Sequence, residues 1–343
     1  MKDKPFGLDI GDMIMKAVWL SEQNNSFVLR ATSTLPTPQK GMLSESPFDQ
    51  EEMARSIRAV CNNAKINSTN VNIALPESQV YTKVLEMPLL SDKELSSAIY
   101  WEAEQYIPLP LPNVTLDWKI LKKTDSLAAS AKMNVLLVGA PTALIEKYQK
   151  IVQVAGFSIN SLETEILAVI RSCVRGENFP NTIIVHIGAV NTLLAIIKDG
   201  VLVFTYSVAT GGAVISRAIM TDLGFSFDQA EEYKKTYGIS ETVFGGKIGK
   251  ATLPIVASIV TEVKKSMVYY SEKYKEEGPL KQILLSGGTA KLPGIDTFFA
   301  QNCGLETVIS NPWKILNSEV PKEMIDNAPN FTVAVGLAMR DYE

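Results

Sequence analysis

Two segments of this chain end an apolar strand on one theme, Asp9-Ile10-Gly11 in "FGLDIGDMIMKAVWL" and His186-Ile187-Gly188 in "NTIIVHIGAVNTLLAII". In each, apolar residues run up to x-Ile-Gly, break at a turn and resume, which reads as strand, tight turn, strand. A third strand follows in both places, at Ser26 to Leu35 and in "VLVFTYSV". Equivalent points so far apart mark an internal repeat of structure rather than of sequence, and so predict two similar lobes facing each other across a cleft. A chain of 343 residues also exceeds what one core usually serves.

Several function classes are set aside by the residues themselves. A net charge of −4 gives no basic surface for sequence-independent nucleic-acid binding. The apolar stretches "NTLLAII" and "VLVFTYSV" are separated by Lys198-Asp199-Gly200 and are too short to cross a bilayer. No apolar leader follows Met1, so a cytoplasmic location is expected, with any membrane contact made through partners. Cys61, Cys173 and Cys303 lie far apart with a single histidine, His186, which excludes a zinc cluster and a disulfide framework. The same scarcity of histidine argues against Ser-His-Asp or Cys-His hydrolysis.

Along the chain, a polar loop and a helix from about Phe48 to Ala64 follow the first hairpin, and "VNIALP" closes an α/β unit. A new pattern starts at Gln79. The strand "VYTKVLEMP" leads into Ser91-Asp92-Lys93-Glu94, a capping box opening a helix to about Tyr106. Prolines at 108, 110 and 112 force an extended connection, then come two strands and a helix from Thr142 to Ala155. We therefore expect a first lobe at 1–78 and 159–180, with 331–343 packing back on it, and an inserted small α+β domain at 79–158. The second lobe is expected at 181–226 and 278–330, with a subdomain at 227–277. Within that subdomain "FGGKIGKATLP" reads as a surface loop before a long amphipathic helix. It is no P-loop, because Phe244 stands where the first glycine would be.

Glycine turns follow apolar strands at Gly11, Gly188 and Gly287-Gly288, and Gly211-Gly212 opens a helix. Glycine lets backbone approach phosphate oxygens closely, and turn or helix N-terminal N–H groups supply donors. Taken in order, Asp9-x-Gly11 with Lys16, Ile187-Gly188 with Thr192, Gly211-Gly212, "AEEYK" at 230–234 and "LLSGGTAKLPGI" resemble the actin, Hsp70 and sugar-kinase superfamily. Within it the chain resembles the PilM family of type IV pilus assembly. That narrower likeness also rests on "MPLLSDKELSSAIYWEAEQYIPLPLPNVTLDW", "LGFSFDQAEEYKKTYG", "NPW" and "AVGLAMR", which span nearly the whole chain.

The resemblance implies an α/β, actin-like (ribonuclease H-like) fold of two duplicated lobes, with an inserted domain like the SHS2-type one of FtsA. It implies ATP or ADP with Mg²⁺ in the cleft. Asp9 would sit near the Mg²⁺ or its waters, Gly11 and Gly188 at the phosphates, Lys16 at the family's basic position, and Thr192 among the nucleotide-binding residues. Gly211 and Gly212 would lie at the phosphates or nucleoside, Glu231 and Lys234 at the ribose and adenine, and Gly287, Gly288 and Thr289 along the adenosine. Glu165 is the counterpart sought for the water-orienting residue of superfamily ATPases.

Two departures stand against turnover. Asp12, Met13 and Ile14 occupy places where relatives carry serine or threonine, and a carboxylate beside a triphosphate is repulsive. His186 replaces an aspartate that relatives use for metal or water, which removes a hard oxygen ligand. The expected role is thus an adaptor of pilus assembly, or of a related secretion or competence system, with weak or absent ATPase. Its implied partner is the N-terminal cytoplasmic peptide of PilN, held in a groove built around Val80 to Trp118. PilO and PilP would be reached indirectly, with a pilus assembly ATPase and self-association as further contacts. The alternatives are an active ATPase of this fold and an FtsA-like division filament; the latter typically carries a C-terminal amphipathic helix, where this sequence ends at Arg340-Asp341-Tyr342-Glu343.

Overall fold

A computed structural model describes residues 4–23, 26–123, 132–176, 178–240, 242–317 and 320–342. Met1 to Asp3, on which the leader expectation partly rests, and Glu343 lie outside the described residues.

The first lobe opens with β1 (Phe6–Ile10), β2 (Ile14–Gln23), β3 (Ser26–Pro36), α1 (Pro47–Asn63) and β4 (Asn70–Leu75). There follow β5 (Tyr81–Pro88), α2 (Asp92–Tyr106), β6 (Val114–Lys123), β7 (Lys132–Pro141), α3 (Thr142–Val154), β8 (Ser158–Thr164) and α4 (Glu165–Cys173). The second lobe contains β9 (Thr182–Ile187), β10 (Thr192–Lys198), β11 (Val201–Val208), α5 (Gly212–Leu223), α6 (Phe227–Tyr237) and α7 (Lys247–Lys273). It continues with β12 (Gln282–Ser286), α8 (Ile295–Cys303) and β13 (Glu306–Ile309), after which α9 (Lys322–Asp326) and α10 (Thr332–Met339) return the chain to β2 of the first lobe.

The two main sheets repeat one topology. Their orders are β3-β2-β1-β4-β8 and β11-β10-β9-β12-β13, each with an antiparallel meander on one side and parallel strands on the other. Asp9 and His186 therefore occupy corresponding places in the two sheets, one residue short of the strand end. The strands are near-continuous apolar runs because both faces are covered, as parallel sheets require.

The helices α4 and α10 lie between the sheets. Ile166, Ala168 and Val169 of α4 and Val333 and Leu337 of α10 share a core with Ile184, Leu193 and Leu284 of the second sheet. Their crossing is close: a Cβ on Gly336 would fall 1.9 Å from the Ala168 carbonyl oxygen. The far side of α10 packs Ala334, Val335 and Ala338 on Val18 and Leu20 of β2.

The inserted sheet has the order β5-β7-β6. Alternation along β7 sends Met133, Val135 and Leu137 to α2, whereas Leu136 and Val138 face the second lobe at Leu193, Ala195 and Leu202. The Ser91 capping box is formed, with the Glu94 side chain accepting from the Ser91 N–H at 2.9 Å.

Three expectations are corrected. The helix α3 falls within the span expected for the insert, 79–158, yet its Leu144, Tyr148, Ile151 and Val152 are buried with Ile57, Val60 and Cys61 of α1, in the first lobe's core. The presumed surface loop ends at Gly246; Lys247 already starts α7, and Ile248, Gly249 and Ala251 are buried. That helix, with the turn before it, is also long and apolar enough by composition to cross a membrane, contrary to the estimate from shorter apolar runs. Its Val256, Ile259, Val260 and Val263 instead fill the core against Ile183, Val185 and Ile187. Residues 227–277 thus share the second sheet's core, with Ala230 of α6 in the same cluster.

Candidate functional site

The β1–β2 and β9–β10 turns border one cavity of about 460 Å³, a volume suited to a small-molecule ligand. From the first lobe come Asp9, Gly11 and Lys16, with Glu165 at the first residue of α4. Gly188, Gly212, Glu231 and Lys234 approach from the second lobe, and Gly287, Gly288 and Thr289 from the turn after β12. Thr192 and Gly211 do not line the cavity. The Thr192 hydroxyl is buried and donates to the Thr210 carbonyl at 2.7 Å, and Gly211 backs onto Ala189, whose carbonyl oxygen would lie 2.6 Å from an added Cβ. Both support the second hairpin from behind.

Close approach dictates glycine at two points. At Gly212 a Cβ would lie 2.4 Å from Thr289 Oγ1. Gly287 has φ +83°, and its Cβ would meet the Ile187 carbonyl oxygen at 2.4 Å. The first-turn N–H groups of Gly212 and Ala213 donate to the carbonyls of Gly188 (2.9 Å) and Ala189 (2.8 Å), fastening the hairpin to α5.

Three of the four carboxyl groups that line the cleft, Asp9, Asp12 and Glu165, come from the first lobe. Lys16 Nζ donates to Asp9 Oδ2 at 2.8 Å, a pair set up by the β1–β2 register that places them opposite each other. Asp12 stands in the turn, where desolvation and the nearby Asp9 charge raise its carboxyl. Burial, reinforced by the Asp9 and Glu77 charges, pushes Glu165 up to about 8. Glu77, buried beneath it, is pushed up to about 7 by burial. At neutral pH Glu165 is therefore largely protonated and poorly suited to accept a proton from water.

At the other end, Lys234 Nζ donates to Ser216 Oγ at 2.8 Å and the Gly212 carbonyl at 3.1 Å, and pairs with Glu231. The two side chains expected to reach a nucleoside thus also hold each other and the start of α5. His186 is buried, and burial pushes its imidazole down to about 4. Its Nδ1 lies 3.0 Å from Ser286 Oγ.

Sequence reasoning missed several lining residues, among them Asn191, Lys235, Lys291, Asn327 and Asn330. Asn330 Oδ1 is buried and without a hydrogen-bond partner, an orphan acceptor at the cavity wall. Its only sequence signal is a polar residue just ahead of the apolar "FTVAVGLAM" segment. Among the described residues no three His, Cys, Asp or Glu side chains form a cluster able to hold a metal. A cation beside Asp9 would need ligands brought by a second molecule. The glycine-lined cavity, the orphan amide oxygen and the Lys16 and Lys234 ammonium groups fit a phosphate-bearing nucleoside.

A family model described as "Type IV pilus assembly protein PilM" matches residues 7–342. The cell division protein FtsA of Streptococcus pneumoniae is 23% identical over 330 residues, covering 84% of this chain and 71% of FtsA. Among solved structures, a PilM-PilN type IV pilus biogenesis complex is similar over 100% of both chains, with 25% identity and a TM-score of 0.86. MreB 5 of Spiroplasma citri bound to AMPPNP is similar over 98% of this chain and 95% of its own, at 14% identity and a TM-score of 0.54. With the duplicated sheets, these likenesses make the fold an actin-like, two-lobed α/β fold.

Proposed function

This chain belongs to the PilM family of type IV pilus assembly proteins, and from that premise we propose that it is a nucleotide-responsive adaptor rather than a motor. Its partner is the N-terminal cytoplasmic segment of PilN, captured where the inserted domain meets the first lobe, in the region from Val80 to Trp118. The observation that carries this reading is the full-length likeness to a PilM-PilN complex. Through PilN the adaptor sits at the inner face of the cytoplasmic membrane, reaches PilO and PilP indirectly and contacts the assembly ATPase.

The nucleotide is ATP or ADP with a divalent cation, as the AMPPNP-bound MreB 5 relative supports for this fold. Gly11 and Gly188 would face the phosphates, Lys16 and Asp9 the phosphates and cation, and Lys234, Glu231 and Thr289 the nucleoside. A bound nucleotide supplies contacts to both lobes at once, so it shifts their equilibrium by its differential affinity for the open and closed states. The raised Glu165 and the added Asp12 carboxylate fit slow or absent hydrolysis.

A fluorescent peptide copying the PilN N-terminus of the same organism tests the adaptor role. Saturable anisotropy on titration with the full chain is expected, weakened by Trp118→Ala. No saturation would overturn the adaptor assignment.

A further inference from the structure

The hydrogen bonds behind His186 fix which of its nitrogens faces the cleft. Its Nδ1 lies 3.0 Å from Ser286 Oγ, Ser286 Oγ lies 2.8 Å from Thr332 Oγ1, and Thr332 Oγ1 lies 3.2 Å from the Pro329 carbonyl oxygen. A carbonyl oxygen only accepts, so Thr332 donates to Pro329. Its oxygen then accepts from the Ser286 hydroxyl, and Ser286 accepts from an N–H on Nδ1. This is the single polarity in which all three contacts are hydrogen bonds. The neutral ring consequently carries its proton on Nδ1 and its lone pair on Nε2.

Nε2 has no hydrogen-bond partner among the described residues, and the ring lines the cavity. A histidine whose other nitrogen donates to a fixed acceptor is arranged as a metal ligand is, oriented and held in one tautomer. The place in the second sheet that corresponds to Asp9 thus offers a nitrogen and no carboxylate oxygen. Asp9 holds the corresponding place in the other lobe; Lys16 binds its Oδ2, which leaves Oδ1. Two protein ligands are too few for an ion by themselves, in keeping with the lack of a three-residue cluster.

We propose that His186 Nε2 ligates the divalent cation that enters with a nucleotide, so that the cleft selects a transition ion such as Mn²⁺ over Mg²⁺. The proposal rests on the nucleotide reading above. Imidazole suits the later first-row transition ions best, and Mn²⁺, the weakest binder of that series, is the one whose spin reads the ligand nitrogen; Mg²⁺ demands oxygen ligands and dehydrates reluctantly.

The test measures ADP affinity of the full chain at saturating Mg²⁺ or Mn²⁺, together with electron spin-echo modulation of the bound Mn²⁺. Because His186 is the single histidine, [¹⁵N]histidine labels this one ring. Binding at least about tenfold tighter with Mn²⁺ is expected, along with a ¹⁵N coupling from the ring. His186→Asn keeps an N–H donor for Ser286 but removes Nε2, and is expected to lose the preference. Equal affinity with both ions, or bound Mn²⁺·ADP without ¹⁵N coupling, overturns the proposal while leaving nucleotide binding intact. No ADP binding with either ion overturns the nucleotide reading and the proposal together.

Discussion

Glu165 Oε2 accepts a hydrogen bond from the backbone N–H of Glu77 at 3.4 Å, which ties the floor of the cleft to the turn from which the inserted sheet departs. The Glu77 carboxyl lies buried beneath it, and its Oε2 has no hydrogen-bond partner among the described residues. Two acidic residues thus meet at the start of α4, one facing the ligand cavity and one buried beneath it.

This arrangement makes stability depend on pH in a defined direction. Burial raises Glu77 from an ordinary 4.5 to about 7, so the native state binds its proton more tightly than the unfolded chain. The associated stability is fully present below pH 4.5 and is lost as pH rises through about 7. Glu77→Gln is expected to exceed the parent by on the order of 2 kcal/mol at pH 8, with the gain shrinking towards pH 5. Urea unfolding at the two pH values checks it; a pH-independent difference would remove titration as the cause.

The α4–α10 crossing leaves no room for a methyl group. Gly336→Ala would set a carbon 1.9 Å from the Ala168 carbonyl oxygen, backbone against backbone. A loss of about 2–3 kcal/mol is expected from overpacking, measured by chemical denaturation. Gly156→Ala, strained at φ +92° but in open space, is the control and should cost about 1 kcal/mol.

Lys16 holds Asp9 and presents a positive charge to the cleft. Lys16→Met leaves Asp9 unpaired and removes a phosphate donor, so nucleotide affinity should fall at least about tenfold. Equilibrium dialysis with ADP reads the change; unaltered affinity would place the phosphates elsewhere.

Asp12 is the opposite case. Asp12→Ser removes a carboxylate and puts a small hydroxyl donor at this turn. ATP affinity is expected to rise by about three- to tenfold, and more at low salt, because the repulsion removed is electrostatic. Titration at two ionic strengths tests it.

Much of the fold was legible because it is local. The x-Ile-Gly turns, the Ser91 capping box and the glycine pairs each state their own backbone geometry, and Asp9 and Lys16 meet through hairpin register alone. What could not be read depends on long-range packing. The helix α3 carries an apolar face that would suit either the insert or α1, and periodicity does not choose between them. Thr192 has the hydroxyl a phosphate hairpin calls for, but bonding to Thr210 takes it out of the cleft. Ser286, Thr332 and Asn330 gain their meaning only when the turn after β12 meets the start of α10.

On the proposed function, nucleotide is a ligand here and not a fuel. The direct measurement incubates the full chain with ATP and Mg²⁺ or Mn²⁺ in single-turnover conditions, separates the bound fraction and quantifies its ATP and ADP over time. Bound nucleotide is expected to persist as ATP for many minutes, with no phosphate burst. Conversion at about 1 s⁻¹ or faster, the range of working phosphotransfer enzymes, would contradict it.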